Sequence, residues 1–473
     1  MGQMSPAIHD APIFLRRPPG TLIFSGAVLA AVLVLYCLAF QGLADFDLLL
    51  VVRVAMGIVA ILAVCVFFEG KGLLRWHPGL VLAGAVIFRL LFLFQQPVLS
   101  DDIHRYLWDG AGLVSGKNPY SQAPAEATPE TAEAAGIRAK VNHPELVTIY
   151  PPLAQIVFGA GTLLGGGAIV MKALFSAFDL ATCTILLRIL ARLRLPPGRA
   201  ILYAWNPLPI METAGSGHVD AVAVFFLIIC LAVMLKKETT ANSLAAGALF
   251  SLSVMTKLFS VMYLPVILAG KRKRAAFLVA AATTSILFVL PFLPEIANGL
   301  VTLGIYLRFW EFGGFAYRTL VWMDISRQAA RLILAGAFCA VAAAVSVCIL
   351  RSGSRDPLSL IRACLMTTLA YLLLAPTLHP WYAITLVPFA ALSAHPAGTV
   401  FSASVLLAYA VLVPYVATGK WIDRGSVAFF VAAAPVLALI LPSILEWVLG
   451  TSRRPDHTGQ LSHLVGKDQG QRG

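Results

Sequence analysis

The chain has 473 residues, of which 59% are hydrophobic and only 12% charged, with a formal net charge of +12. A soluble domain carries about 25% charged residues, so a mean hydropathy of +0.84 excludes an ordinary soluble enzyme and puts most of the chain in lipid. The excess of Lys and Arg is accounted for by membrane orientation, and no nucleic-acid partner is implied.

Apolar runs near the ~20 residues needed to cross a bilayer recur from end to end. The first, TLIFSGAVLAAVLVLYCLAFQ (21–41), follows Arg16 and Arg17. It lacks a small-residue cleavage site and reads as a retained span. Further candidate spans are 48–68, 79–96, 170–191, 200–213, 219–235, 242–256, 258–270, 275–293, 326–350, 361–376, 381–394, 398–417 and 426–449. The fold class expected is all-α, a polytopic transmembrane helical bundle of about 12–14 spans. A cytoplasmic segment (1–20) precedes a membrane domain (21–450) that carries an acidic loop (97–152), and a polar cytoplasmic tail (451–473) follows. With the N-terminus inside, the basic clusters Lys71/Arg75, Arg192/Arg194/Arg199, Lys236/Lys237, KRKR (271–274), Arg351/Arg355 and Arg453/Arg454 all fall in the cytoplasm. Counting YPPLAQIVFGAGTLLGGG (150–167) as a span would put KRKR outside. It reads instead as a re-entrant or surface-lying helix opened by Pro151 and Pro152. The seven cysteines show no CxxC or Cys/His spacing, so neither disulfides nor a metal site is indicated.

This orientation gathers the remaining polar residues on the extracytoplasmic side. They are Asp101, Asp102, Arg105 and Asp109 in the acidic loop; Glu212, His218 and Asp220 in METAGSGHVD; Lys257 in VMTKLFS; Arg308 and Glu311 in YLRFWEFGG; and His379 in LHPWY. Ionisable groups are costly near a bilayer and usually line a functional cavity. The broken span around WNPLP and the short pair hinging at Lys257 fit a cavity floored by short helices. Structural roles compete at each position. Asp101, Asp102, Asp220 and His379 are placed to cap helices, Glu212 to bond loop amides, and Arg308 and Glu311 to pair with each other. Arg89 is placed to snorkel, and Asp179, in mid-span, has only a hydrogen bond to a neighbouring helix open to it.

The strings SDDIHRYLWDG and GKNPY (100–120), NHPELVTIYPPLAQ (142–155), WNPLPIMETAGSGHVD (205–220) and LHPWY (378–382) resemble the GT-C glycosyltransferases. Within that class the chain is most similar to the bacterial polyprenol-phosphate-mannose-dependent membrane mannosyltransferases. The first string also resembles the DxD region of the eukaryotic GPI mannosyltransferase I. The resemblance implies a GT-C bundle in the bacterial inner membrane, its site facing the periplasm or cell exterior. It implies inverting transfer of a hexose, mannose by family habit, from a polyprenyl-phosphate sugar to a glycolipid or glycan acceptor, with no cofactor. Asp101 or Asp102 is then the general base. Lys257, Arg308 and Arg105 are candidates for the donor phosphate. Asp109, Tyr150, Glu212, His218, Asp220, Glu311, His379 and Trp381 are candidates for substrate and acceptor. A secondary transporter or flippase of a lipid-linked sugar is the alternative. It calls for polar residues through the depth of the membrane and a repeated architecture, and the chain shows neither.

Overall fold

The computed structural model describes residues 21–352 and 356–448. The segments 1–20 and 451–473, together with Arg355, Arg453 and Arg454, lie outside the described residues. Among the described residues, no strand forms beyond isolated bridges of Phe312 and Gly313 to Thr377. Of the described helices, seven are long and apolar enough to cross a membrane: Leu22–Ala44, Leu48–Gly70, Gly167–Arg192, Arg274–Phe292, Arg327–Arg351, Pro357–Leu374 and Pro396–Thr418. Seven shorter apolar helices of 10–17 residues pack among them. With these helices the chain is an integral membrane protein of all-α, polytopic architecture.

Local chemistry explains the interruptions. The stretch 200–213 is no single span. Prolines at 207 and 209 remove amide donors, and it breaks into the one-turn helices Ile201–Ala204 and Pro207–Ile210. Asn206 caps the second, its Oδ1 accepting from the Leu208 amide at 3.0 Å. A π-turn over Met211–Gly215 follows. At Lys257 the backbone is extended (φ −148°, ψ 116°), ending helix Thr240–Thr256 before a 3-10 turn over Leu258–Tyr263. The hinge expected from sequence therefore exists. The stretch after YPP forms helix Pro152–Leu163, only 12 residues with Pro152 in its first turn. At 1.5 Å per residue that is ~18 Å, too short to cross ~30 Å of hydrocarbon.

The bundle core is built around Trp205, which is fully buried. Its Nε1 donates to the Val81 carbonyl at 2.8 Å, and its own carbonyl accepts from the Tyr36 hydroxyl at 2.7 Å. Beside it lies an ion pair that corrects the snorkelling expectation. Arg89 points inward, its Nε 2.7 Å from Asp179 Oδ2, and its Nη1 donates to the carbonyls of Ala85 and Ala204. The hydroxyl of Tyr203 takes the other carboxylate oxygen. Both charges are buried, and such a pair persists only with hydrogen bonds of this kind around it.

Candidate functional site

The acidic stretch begins helix Asp102–Val114, whose face of Ile103, Tyr106, Leu107 and Gly110 is buried. Gly110 permits the close approach of helix Pro152–Leu163, since a Cβ there would lie 2.5 Å from the Phe158 carbonyl oxygen. Tyr106 stacks on Phe158 with centroids 4.4 Å apart. These contacts fix the first turn, and with it the two carboxylates.

The two carboxylates differ in what holds them. Asp101 occupies the N-cap position, yet its side chain makes no capping hydrogen bond. Ser100 Oγ instead accepts from the Asp102 amide, at 3.3 Å. Both oxygens of Asp102 are engaged, Oδ1 by Asn142 Nδ2 at 3.2 Å and Oδ2 by the Tyr150 hydroxyl at 3.1 Å. Asp101 reaches solvent at its outer side. Desolvation by protein at its inner side, more than the neighbouring charge of Asp102, holds its pKa above the ordinary carboxylate value, against the pull of His104.

Beneath this pair the polar residues of the other segments converge. His218 Nδ1 lies 3.8 Å from Asp102 Oδ2, and His218 Nε2 lies 3.5 Å from Glu212 Oε2. Glu212 Oε1 accepts from the Tyr409 hydroxyl at 2.6 Å. Asp220 Oδ2 meets Lys257 Nζ at 2.7 Å. The ammonium of Lys257 also sits over the rings of Tyr150 and Tyr382, 5.8 and 5.2 Å from their centroids. Asp102 and Lys257 keep 18% and 14% side-chain exposure, whereas Glu212 and Asp220 have none. The site is therefore tiered, with a carboxylate and an ammonium near the surface and carboxyls and an imidazole below.

Trp381 is sandwiched. Its indole stacks on His218 at 4.1 Å and on His379 at 4.4 Å, near parallel on both faces. Neither face is open to a sugar ring, so Trp381, a candidate for substrate and acceptor, is a spacer between two imidazoles and presents only its edge to the site. The capping expectations fail here as well. His379 begins the turn Pro380–Thr385 without a side-chain cap bond, and Asp220 turns to Lys257. The backbone that positions His218 depends on Gly217 (φ +79°), where a Cβ would stand 2.7 Å from Ile103 Cδ1 and 2.9 Å from Lys172 Cγ.

Other candidates are placed elsewhere. Arg105 and Asp109 pair with each other at 3.1 Å, an i,i+4 bridge buried inside the loop. Arg105 Nη2 also donates to the Leu146 carbonyl, and Gln155 donates to Asp109. A guanidinium so occupied braces the loop and has no free donor fork for a phosphate. Glu311 does not pair with Arg308. It binds Tyr317, Arg331 at 3.1 Å and Arg327 at 3.4 Å. Arg308 is exposed, its guanidinium over the Phe309 ring. Among the described residues no group of three or more His, Cys, Asp or Glu is arranged to hold a metal ion.

Several contributors carried too weak a signal in the sequence. GKNPY is a latch. Asn118 Nδ2 donates to Glu295 and to the Phe292 carbonyl, while the Tyr120 hydroxyl donates to the Tyr150 carbonyl at 2.6 Å. Asn142 stands in the NHPEL string, where nothing marks it for a role. Tyr306, which bonds the Tyr382 hydroxyl, and Tyr409 sit in apolar runs where a tyrosine is unremarkable. Lys172, buried in the second turn of helix Gly167–Arg192, donates to the carbonyls of Phe92 and Gln95 at the end of helix Pro78–Leu93. A lone Lys within an apolar run was its only signal.

Comparison with known proteins supplies the family. Residues 21–270 match the model of the MptA_B family, described as alpha-(1->6)-mannopyranosyltransferase, N-terminal domain. No curated protein matches. Among solved structures, ArnT from Cupriavidus metallidurans, bound to undecaprenyl phosphate, is 16% identical. That match covers 79% of this chain and 72% of ArnT with a TM-score of 0.46. The family match takes in more than half of the chain and includes Asp101, Asp102, Tyr150, Glu212, His218, Asp220 and Lys257. The chain belongs to this mannosyltransferase family and is a membrane glycosyltransferase.

Proposed function

We propose that the protein transfers a mannosyl residue from a polyprenyl-phosphate donor to a hydroxyl of a lipid-linked or glycan acceptor at the outer face of a bacterial plasma membrane. Asp101 takes the hydroxyl proton as the acceptor oxygen attacks the anomeric carbon. The bond from that carbon to the phosphate oxygen breaks with inversion, and polyprenyl phosphate departs as an anion needing no general acid. Lys257 meets the charge that develops on the phosphate. An α-linked product, as in the family's description, would require a β-linked donor under inversion.

One observation carries this reading. Two adjacent carboxylates have opposite environments, Asp102 with a donor on each oxygen and Asp101 free of them with a raised pKa, and an ammonium joins the same cluster through Tyr150. Paired groups whose surroundings push them apart mark acid–base assignments. The unencumbered member is the better proton acceptor.

The test is transfer from polyprenyl-phosphate mannose to a mannoside acceptor in nanodiscs. A general base contributes about a hundred- to ten-thousand-fold, so Asp101→Asn should lower kcat at least a hundredfold with donor affinity unchanged. Asp102→Asn should cost less turnover. Near-normal turnover by Asp101→Asn with an inactive Asp102→Asn would exchange the two roles. Normal turnover by both would remove the acidic loop from the chemistry.

A further inference from the structure

Glu212 is a fully buried carboxyl with no use in the reaction as drawn. Among the described residues its only possible ion-pair partner is His218; the nearby ammonium of Lys257 is taken by Asp220. A lone carboxylate in such a place is costly and is usually neutralised by a proton. Its two oxygens have different neighbours. Oε1 accepts from the Tyr409 hydroxyl at 2.6 Å, whereas Oε2 has no hydrogen-bond donor and faces His218 Nε2 at 3.5 Å. On the opposite edge of the imidazole, Nδ1 faces Asp102 Oδ2 at 3.8 Å, and both ring nitrogens lack partners.

The proton count is constrained by this order. A neutral imidazole has one N–H and one lone pair, and an ionised carboxylate only accepts. An imidazole between two carboxylates therefore leaves one lone pair facing another unless a proton is added. Asp102 already accepts from Asn142 and Tyr150, as a carboxylate does. That leaves the added proton on the inner side.

We propose that Glu212 is a neutral carboxylic acid that donates to His218 Nε2, fixing the tautomer whose Nδ1–H points at Asp102. Glu212 and His218 are then positioning residues for the acidic pair. They aim a further N–H at Asp102, beside its two hydrogen-bond donors, and so favour the anion next to Asp101. The stack of His218 on Trp381 holds the ring plane. The other titratable groups facing the pair are Asp220, Lys257, His379 and Tyr409. None of them offers Glu212 Oε2 a donor.

The kinetic consequence rests on the proposed role of Asp101; the protonation state does not. Glutamine is the isostere of a protonated glutamate. Its oxygen can accept from Tyr409 while its amide donates to Nε2. Two measurements test the idea. First, the infrared difference spectrum between wild type and Glu212→Gln at neutral pH should show a neutral carboxylic-acid band present only in wild type. Its absence overturns the proposal whether or not the protein turns over any donor.

Second, with polyprenyl-phosphate mannose, Glu212→Ala should lower kcat about tenfold, the equivalent of one pKa unit, with donor KM unchanged. The acid limb of its pH profile should move to higher pH, because the carboxyl pair, short of a donor, keeps its last proton longer. Glu212→Gln should rescue both kcat and limb. A Gln variant as impaired as Ala would show that a carboxylate is required and refute the assignment. Failure of wild type to use any polyprenyl-phosphate sugar would count against the proposed function, with the infrared band still deciding the protonation state.

Discussion

Replacing Asp220 with Asn should weaken the empty protein and strengthen its response to donor. The carboxylate lies 2.7 Å from Lys257 Nζ and is fully buried, while the lysine retains 14% side-chain exposure. At an effective dielectric of about 20 the gross attraction at that distance is ~6 kcal/mol. Removing one member of a buried pair costs about 3–5 kcal/mol, because the other charge is left uncompensated. Lys257 keeps a route to solvent, so Asp220→Asn belongs at the lower end, about 3 kcal/mol. In the proposed mechanism that same ammonium meets the donor phosphate. Once freed from Asp220 it gains more from a phosphate than the paired lysine does. The assay is thermal unfolding in detergent, with and without polyprenyl phosphate. Asp220→Asn should have the lower midpoint when empty and the larger shift on adding lipid, whereas Lys257→Ala should lose the shift. If Asp220→Asn loses the shift as completely as Lys257→Ala, Asp220 aims the ammonium and does not restrain it, and the argument from charge release is wrong.

Three further outcomes follow from the geometry. Arg105→Leu strands the buried Asp109 and should cost about 3 kcal/mol near neutral pH, read as a lower unfolding midpoint with unchanged donor affinity in the folded fraction. Burial already raises the Asp109 pKa against the pull of Arg105. Without Arg105 the folded state binds a proton more tightly than the unfolded chain, so the variant's deficit should shrink as pH falls through that raised pKa. Gly217→Ala puts a methyl 2.7 Å from Ile103 at φ +79° and should destabilise by about 1–3 kcal/mol; wild-type stability would refute the close packing. In a cysteine-free background, Ser121→Cys should react with an impermeant thiol reagent added outside, and Lys237→Cys should not. The reverse pattern would move the acidic loop to the cytoplasm and remove the lipid-borne donor.

What the sequence made legible is what membrane physics makes conspicuous. A carboxylate pair at the end of an apolar run, a lysine inside one and a Pro-broken span each carry a cost in lipid that only a site or a partner offsets. For that reason Asp101, Asp102, Lys257 and the WNPLP break stood out, and Lys257 does sit at the chain's hinge. Pairing was illegible wherever distance along the chain hid it. Arg89 and Asp179, 90 positions apart, find each other across two helices. Glu311 passes over the nearby Arg308 for Arg331, 20 residues on. Sequence spacing offers only the neighbour three or four residues away, and in the Glu311 case that neighbour was the wrong one. The sandwich of Trp381 between two histidines is the extreme case. His379 lies two residues away, but His218 comes from another segment, and whether an aromatic is a platform or a spacer depends on its second face. A polar residue in this chain could thus be recognised as placed for a reason. Whether that reason was chemistry or support depended on the unpartnered atoms, and those mark Asp101 and the inner edge of Glu212.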